Sequence, residues 1–235
     1  MTPVPPNPPG PEARAHAAAV YERLQRAYGV PDWRPYYEPI DELVLTFLSQ
    51  NTSDLNSGRA FVALRERYPT WQQVLDAPAS DVADAIRSGG LADRKAPRIQ
   101  TALRRIQAER GDFDLSFLAD WPVEEAMRWL VSFDGVGPKT ASIVLLFCFG
   151  KAAFPVDTHV GRVTRRLGLA GTRDSEEKIM HIWQALAPPE WYYPLHLNLI
   201  RHGREVCHAQ RPACDRCLLA DLCAYEGKPG PGGAG

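Results

Sequence analysis

Apolar positions along this chain recur every three to four residues and almost nowhere every two. Over residues 40–50, Leu43, Val44, Phe47 and Leu48 fall on one face of a helix. Ile99, Leu103 and Ile106 mark the buried stripe of another over 96–110. Residues 140–149 are apolar nearly all round, the pattern of a helix buried in a core. Residues that favour helix starts divide up the remainder: Thr70 ahead of 71–77, Ser80 ahead of 81–88, Asp157 ahead of 158–167, and Asp174 or Ser175 ahead of 176–187. Further helices are expected over 12–27, 54–67 and 195–206, with one more starting at Pro122. No stretch alternates long enough for a strand, so the chain reads as all-α. The proline-rich segment 1–11 and the Gly/Pro-rich end, from about residue 224, are expected to be disordered. Residues 29–39 form an irregular connector whose Trp33, Tyr36 and Tyr37 can pack on neighbouring helices.

With 235 residues, the chain suffices for one large domain or two small ones. Its formal net charge of −1 excludes a strongly cationic surface, so contact with a nucleic acid has to come from a local patch. No apolar run approaches a membrane span, and the first residues lack the charged-then-apolar order of a secretory signal. A cytoplasmic location is expected, nucleoid-associated if the cell is prokaryotic. Four of the five cysteines crowd into 207–223, which without a secretory signal points to a metal or iron–sulfur site before disulfides.

Chemistry concentrates in Phe133–His159. Gly135-Val136-Gly137 forms a turn that can expose backbone N–H groups, and Pro138 suits the first position of a helix. Lys139 then sits beside N–H groups without intrahelical partners, a ready anion site. The positive end of the helix disfavours an ammonium, and a neutral lysine is a nucleophile. Residues 122–150, with their GVGPKTA and the VDTH that follows, resemble the helix-hairpin-helix of the endonuclease III superfamily of base-excision DNA glycosylases. The resemblance implies that Lys139 attacks the sugar C1′ and that Asp157 assists. It also implies that Gly135, Val136 and Gly137 contact the DNA backbone. The usual hairpin opens Leu-Pro-Gly. Here Phe133 and Asp134 precede Gly135, which is expected to loosen the turn and to set a negative charge beside a phosphate.

Other stretches carry the same resemblance. Ser49–Asp54 is similar to the segment in which a glutamine fills the space left by an extruded base, so Gln50 takes that role and Thr52 supports it. The loop 89–96 resembles the one whose leucine wedges into the DNA stack, here Leu91. Arg162, Arg165, Arg166 and Lys95 are the expected phosphate contacts. Four thiols spaced Cys207-x6-Cys214-x2-Cys217-x5-Cys223 suit either zinc or a four-iron cluster by residue type. Together with His202-Gly203-Arg204, the spacing is similar to the terminal [4Fe-4S] loop of endonuclease III-like and adenine-excising glycosylases. Cys148 reads as a small core residue.

These readings imply two helical domains. A six-helix domain is expected over 40–151. A cluster domain is expected over 152–226, with the N-terminal helix and connector 12–39 packed on it. The expected partner is double-stranded DNA bearing damaged bases or abasic sites, bound by a monomer in a cleft between the domains, with Lys139 and Asp157 facing each other. The expected activity is that of a bifunctional glycosylase and AP lyase acting on a base such as an oxidised pyrimidine. One rival is the adenine-excising monofunctional branch. It has no need of a Schiff-base lysine and typically carries a further C-terminal domain, whereas this chain ends soon after the cysteines. The other rival is a non-catalytic DNA-binding or electron-transfer module, against which Lys139 and Asp157 stand together.

Overall fold

The computed structural model of the protein describes residues 10–227. Among the described residues there are eleven α-helices and no strands. They are α1 (Pro11–Tyr28), α2 (Pro39–Ser49), α3 (Asp54–Arg67), α4 (Trp71–Asp76), α5 (Ala79–Ala85) and α6 (Ala92–Arg110). The remainder are α7 (Val123–Val131), α8 (Pro138–Phe149), α9 (Thr158–Arg166), α10 (Glu176–Leu186) and α11 (Tyr192–Glu205). No helix among the described residues is long and apolar enough to cross a membrane. The chain divides into two compact units, Pro35–Phe149 and Met1–Arg34 with Gly150–Gly235.

In Pro35–Phe149, α2 packs on α3 and α8, α5 on α6, and α7 on α8. Leu43, Val44, Phe47 and Leu48 of α2 are all buried, as are Ile99, Leu103 and Ile106 of α6. Each such side chain stabilises the unit by about 1.5–3 kcal/mol relative to exposure. Seven α-helices, α2 to α8, make up this unit. Two short ones, α4 and α5, stand separately because Pro78 interrupts the chain between them. Thr70 caps α4 through a capping box with Gln73. Ser80 is no cap: α5 begins at Ala79 behind Pro78, and the Ser80 hydroxyl reaches Asp81 instead. Helix α6 begins at Ala92, before the expected Ala96, so Arg94 and Lys95 are helical residues rather than loop. Pro97 lies inside α6, in its second turn.

In the other unit, α11 packs on α9 and α1, and α10 on α9. Trp183 is fully buried, and its indole N–H donates to Thr164 Oγ1 at 2.8 Å. Ser175 and Asp157 cap α10 and α9. Pro11 is helical, not part of a tail, because proline suits the first turn. At the other end, the Ala224 amide donates to Arg166 O at 2.9 Å and the Arg166 guanidinium lies over the Tyr225 ring. The expected fraying at Ala224 is therefore corrected. The rest of the expected tails, 1–9 and 228–235, lies outside the described residues.

Candidate functional site

The hairpin before α8 is built by its sequence. Gly135 has φ +83°, a conformation that side chains beyond glycine rarely adopt, and a Cβ there would stand 3.2 Å from Phe47 Cε1. The Val136 amide donates to Phe133 O, and the next amide donating into the helix is Ala141, to Gly137 O. Among the described residues no acceptor faces the amides of Gly135, Gly137 and Lys139. They are thus available to an anion. Val136 itself is buried, and its amide is already taken by Phe133 O. Lys139 stands exposed in the first turn of α8.

The departure at Phe133-Asp134 does not leave the turn loose. Phe133 is buried, edge-on to Trp129 at 4.7 Å, with the Arg105 guanidinium 4.2 Å over its ring. Asp134 is exposed and pairs with Arg98 Nε at 3.0 Å, so its charge beside the hairpin is compensated. An exposed pair of this kind stabilises by about 0–1 kcal/mol, and its effect is chiefly on the local field.

Gln50 follows α2 and donates from Nε2 to Gly135 O at 2.8 Å, tying this loop to the hairpin. Thr52 makes no such bond, so the support expected from it comes from Gly135 instead. Leu91 is 49% exposed and left-handed, with φ +52°. That backbone is strained for a leucine and persists only where its surroundings fix it. Its carbonyl accepts from the Arg94 and Lys95 amides, both at 3.0 Å.

Lys95 is not a phosphate contact. It is 4% exposed, and its ammonium donates to Leu48 O at 2.6 Å and Gly89 O at 2.8 Å. Burial pushes its pKa down.

Asp157 belongs to the other unit, where Oδ1 accepts from the Val160 amide at 2.7 Å. The arginines of the expected patch on α9 are half-buried and hold carbonyls of the protein itself. Arg162 donates from Nε to Cys207 O at 2.9 Å and from Nη2 to Gly203 O at 2.8 Å, with His159 Nδ1 at 3.0 Å. Arg165 holds Asp174 O and Glu176, and Arg166 holds His208 O, Ala209 O and Cys207 Sγ. Planar guanidinium groups satisfy several carbonyls at once, and those of Arg162 and Arg166 brace the cysteine loop.

Cys207, Cys214, Cys217 and Cys223 are half-buried and line one space, with Arg166, Val206 and Tyr225. Burial, then the neighbouring thiols, push Cys214 and Cys217 up, so a cationic group would favour their thiolates. Among the described residues no three acidic, histidine or cysteine side chains converge on a single-ion site. His202 Nε2 lies 3.5 Å from Cys217 Sγ, and Tyr28 Oη 3.0 Å from His202 Nδ1. Arg23 bridges to Leu218 O and to Asp221. Nothing in the sequence signals Tyr28 or Arg23, whose partners lie 174 to 198 residues away. His202 was visible only as part of His-Gly-Arg.

Residues 44–189 match the family described as HhH-GPD superfamily base excision DNA repair protein. Residues 207–223 match the iron-sulfur binding domain of endonuclease III. A candidate DNA glycosylase of Arabidopsis thaliana is 42% identical over 166 residues, which is 70% of this chain and 56% of that protein. Endonuclease III of Sulfolobus acidocaldarius is 35% identical over 185 residues, 78% of this chain and 80% of its own. A solved structure of a trapped endonuclease III–DNA covalent intermediate, an estranged-adenine complex, is similar at a TM-score of 0.76 and 28% identity. It covers 89% of this chain and 95% of that one. This chain belongs to the HhH-GPD superfamily of base excision DNA repair proteins, as an endonuclease III-like enzyme that carries a [4Fe-4S] cluster.

Proposed function

We propose that the protein is a bifunctional DNA glycosylase and AP lyase acting on a damaged base, taken as an oxidised pyrimidine, in double-stranded DNA. The observation that carries this reading is the exposed Lys139 in the first turn of α8, behind a hairpin whose Gly135 and Gly137 amides are unoccupied. Those amides suit a phosphate next to the lesion, which brings the lysine to the same nucleotide. The damaged nucleotide leaves the stack because its C1′ is shielded within the duplex. Gln50 and Leu91 fill the gap it vacates.

The Lys139 Nζ lone pair attacks C1′, the C1′–base bond breaks, and the departing base takes the electron pair and a proton. Ring opening then gives an iminium between Nζ and C1′. Loss of a 2′ proton breaks the C3′–O3′ bond, cutting the strand 3′ to the lesion and leaving the 3′-oxygen with its phosphate. Asp157, as carboxylate, stabilises positive charge developing on the sugar and shuttles protons. Cys207, Cys214, Cys217 and Cys223 are the residues proposed to hold the cluster, which supplies cross-links to a loop with little core of its own. Arg162 and Arg166 orient that loop from α9.

The test is borohydride added during reaction with abasic DNA. The native protein is expected to form a covalent adduct and to cut the strand. Lys139→Gln is expected to bind DNA and do neither, and Asp157→Asn to excise slowly while still trapping. An adduct formed at the native rate by Lys139→Gln refutes the assignment.

A further inference from the structure

Lys95 is a buried cation that the proposed chemistry does not use. Among the described residues no carboxylate lies within ion-pair distance of it, and an uncompensated buried ammonium is costly. Its two acceptors explain its retention. Leu48 lies in the last turn of α2, two residues before Gln50, and Gly89 ends the 3₁₀ turn Arg87–Gly89, two residues before Leu91. Carbonyls at such helix ends lack intrahelical partners and carry the negative end of the dipole. The two segments are also in close contact without the lysine, since a Cβ on Gly89 would meet Ala60 Cβ at 3.1 Å and Leu48 O at 3.8 Å. Through its own amide, Lys95 also holds the carbonyl of the strained Leu91. One residue therefore joins the last turn of α2, the 3₁₀ turn ahead of Leu91, and the strained Leu91 itself.

We propose that Lys95 is a positioning residue for lesion recognition, its ammonium clamping the Leu48 and Gly89 carbonyls so that Gln50 and Leu91 are presented to the duplex at a fixed separation. This rests on the reading that Gln50 and Leu91 fill the vacated gap. A simple cap would stabilise the fold and nothing more. A clamp sets the geometry of two probes, so its loss harms excision and leaves general DNA affinity alone.

The experiment uses the full-length, iron-loaded protein. Lys95→Met preserves length and apolar stem and removes the donors. Single-turnover excision from a duplex with one oxidised pyrimidine is measured beside affinity for the undamaged duplex. Excision by Lys95→Met is expected to fall about tenfold or more, as in Gln50→Ala and Leu91→Ala, while undamaged-duplex affinity changes less than about twofold. In the Lys95→Met/Gln50→Ala pair the losses are expected to fall short of the product of the singles. Native excision by Lys95→Met, with Gln50→Ala and Leu91→Ala both slow, overturns the clamp and leaves the loop reading standing. Native excision by Gln50→Ala and Leu91→Ala removes the loop reading, and the proposal with it. Equal loss of excision and of undamaged-duplex affinity reduces Lys95 to a cap and also overturns the proposal. Should Lys95→Met not fold, Lys95→Gln, which retains one amide donor, is judged by the same criteria.

Discussion

Glu42 offers a test of how far the hairpin unit tolerates a buried carboxyl. It lies on α2 among Leu43, Val44 and Phe47, with little contact with water, and burial alone raises its pKa from the ordinary 4.5 to about 7. The direction of the stability effect follows from proton counting. Below pH 4.5 the carboxyl is neutral whether the chain is folded or unfolded, and Glu42 is harmless. Between 4.5 and about 7 the unfolded chain releases a proton that the folded chain retains, so stability falls as pH rises. Above 7 the full penalty remains. At about 1.4 kcal/mol per pH unit, the gap gives roughly 3 kcal/mol, an upper bound because water reaches the group on local opening. Glu42→Gln keeps the shape and removes the titration. Urea unfolding of both proteins at a series of pH values, read as the difference in stability, is the assay. The Gln variant is expected to gain little at pH 4.5 and about 1–3 kcal/mol at pH 8, with most of the rise between those values. A difference that stays flat across that range refutes the burial argument.

Further outcomes follow from the same geometry. Gly135→Ala is expected to destabilise the hairpin unit by about 1–3 kcal/mol, seen as a lowered urea midpoint, because both φ and Phe47 oppose the new Cβ. Arg166→Ala is expected to release iron faster to a chelator, followed by loss of visible absorption, whereas Cys148→Ser leaves the iron content unchanged. DNA affinity is expected to fall with salt, with a log–log slope of about −0.9 per phosphate neutralised. Alanine at Arg162, Arg165 and Arg166 is expected to alter cluster retention before it alters that slope, and the reverse order counts against the bracing role.

Much of this was legible in the chain. The 3.6-residue spacing of Leu43, Val44, Phe47 and Leu48 identifies a buried helix face because one face must meet the core. Thr70, Ser175 and Asp157 announce helix starts because their side chains serve orphan amides. The Gly135–Lys139 turn was likewise readable, since its geometry is local. The failures share a cause. Lys95, Arg162, Arg165 and Arg166 all look like solvated cations, and only tertiary packing reveals that they serve carbonyls distant in sequence. The start of α6 was missed for another reason: Ala92–Lys95 carry no strong cap, and Leu91 ahead of them serves without a side-chain hydrogen bond.

The bracing of the cysteine loop by α9 ties repair to nutrition. Asp157 caps the first turn of a nine-residue helix whose Arg162 and Arg166 are anchored in carbonyls of the loop. A cell short of iron would still synthesise an intact Lys139, yet the helix bearing its proposed carboxylate partner would lose the foundation at its far end. Excision capacity in such a cell would track metal supply rather than protein abundance, and counting polypeptides would overstate the repair available.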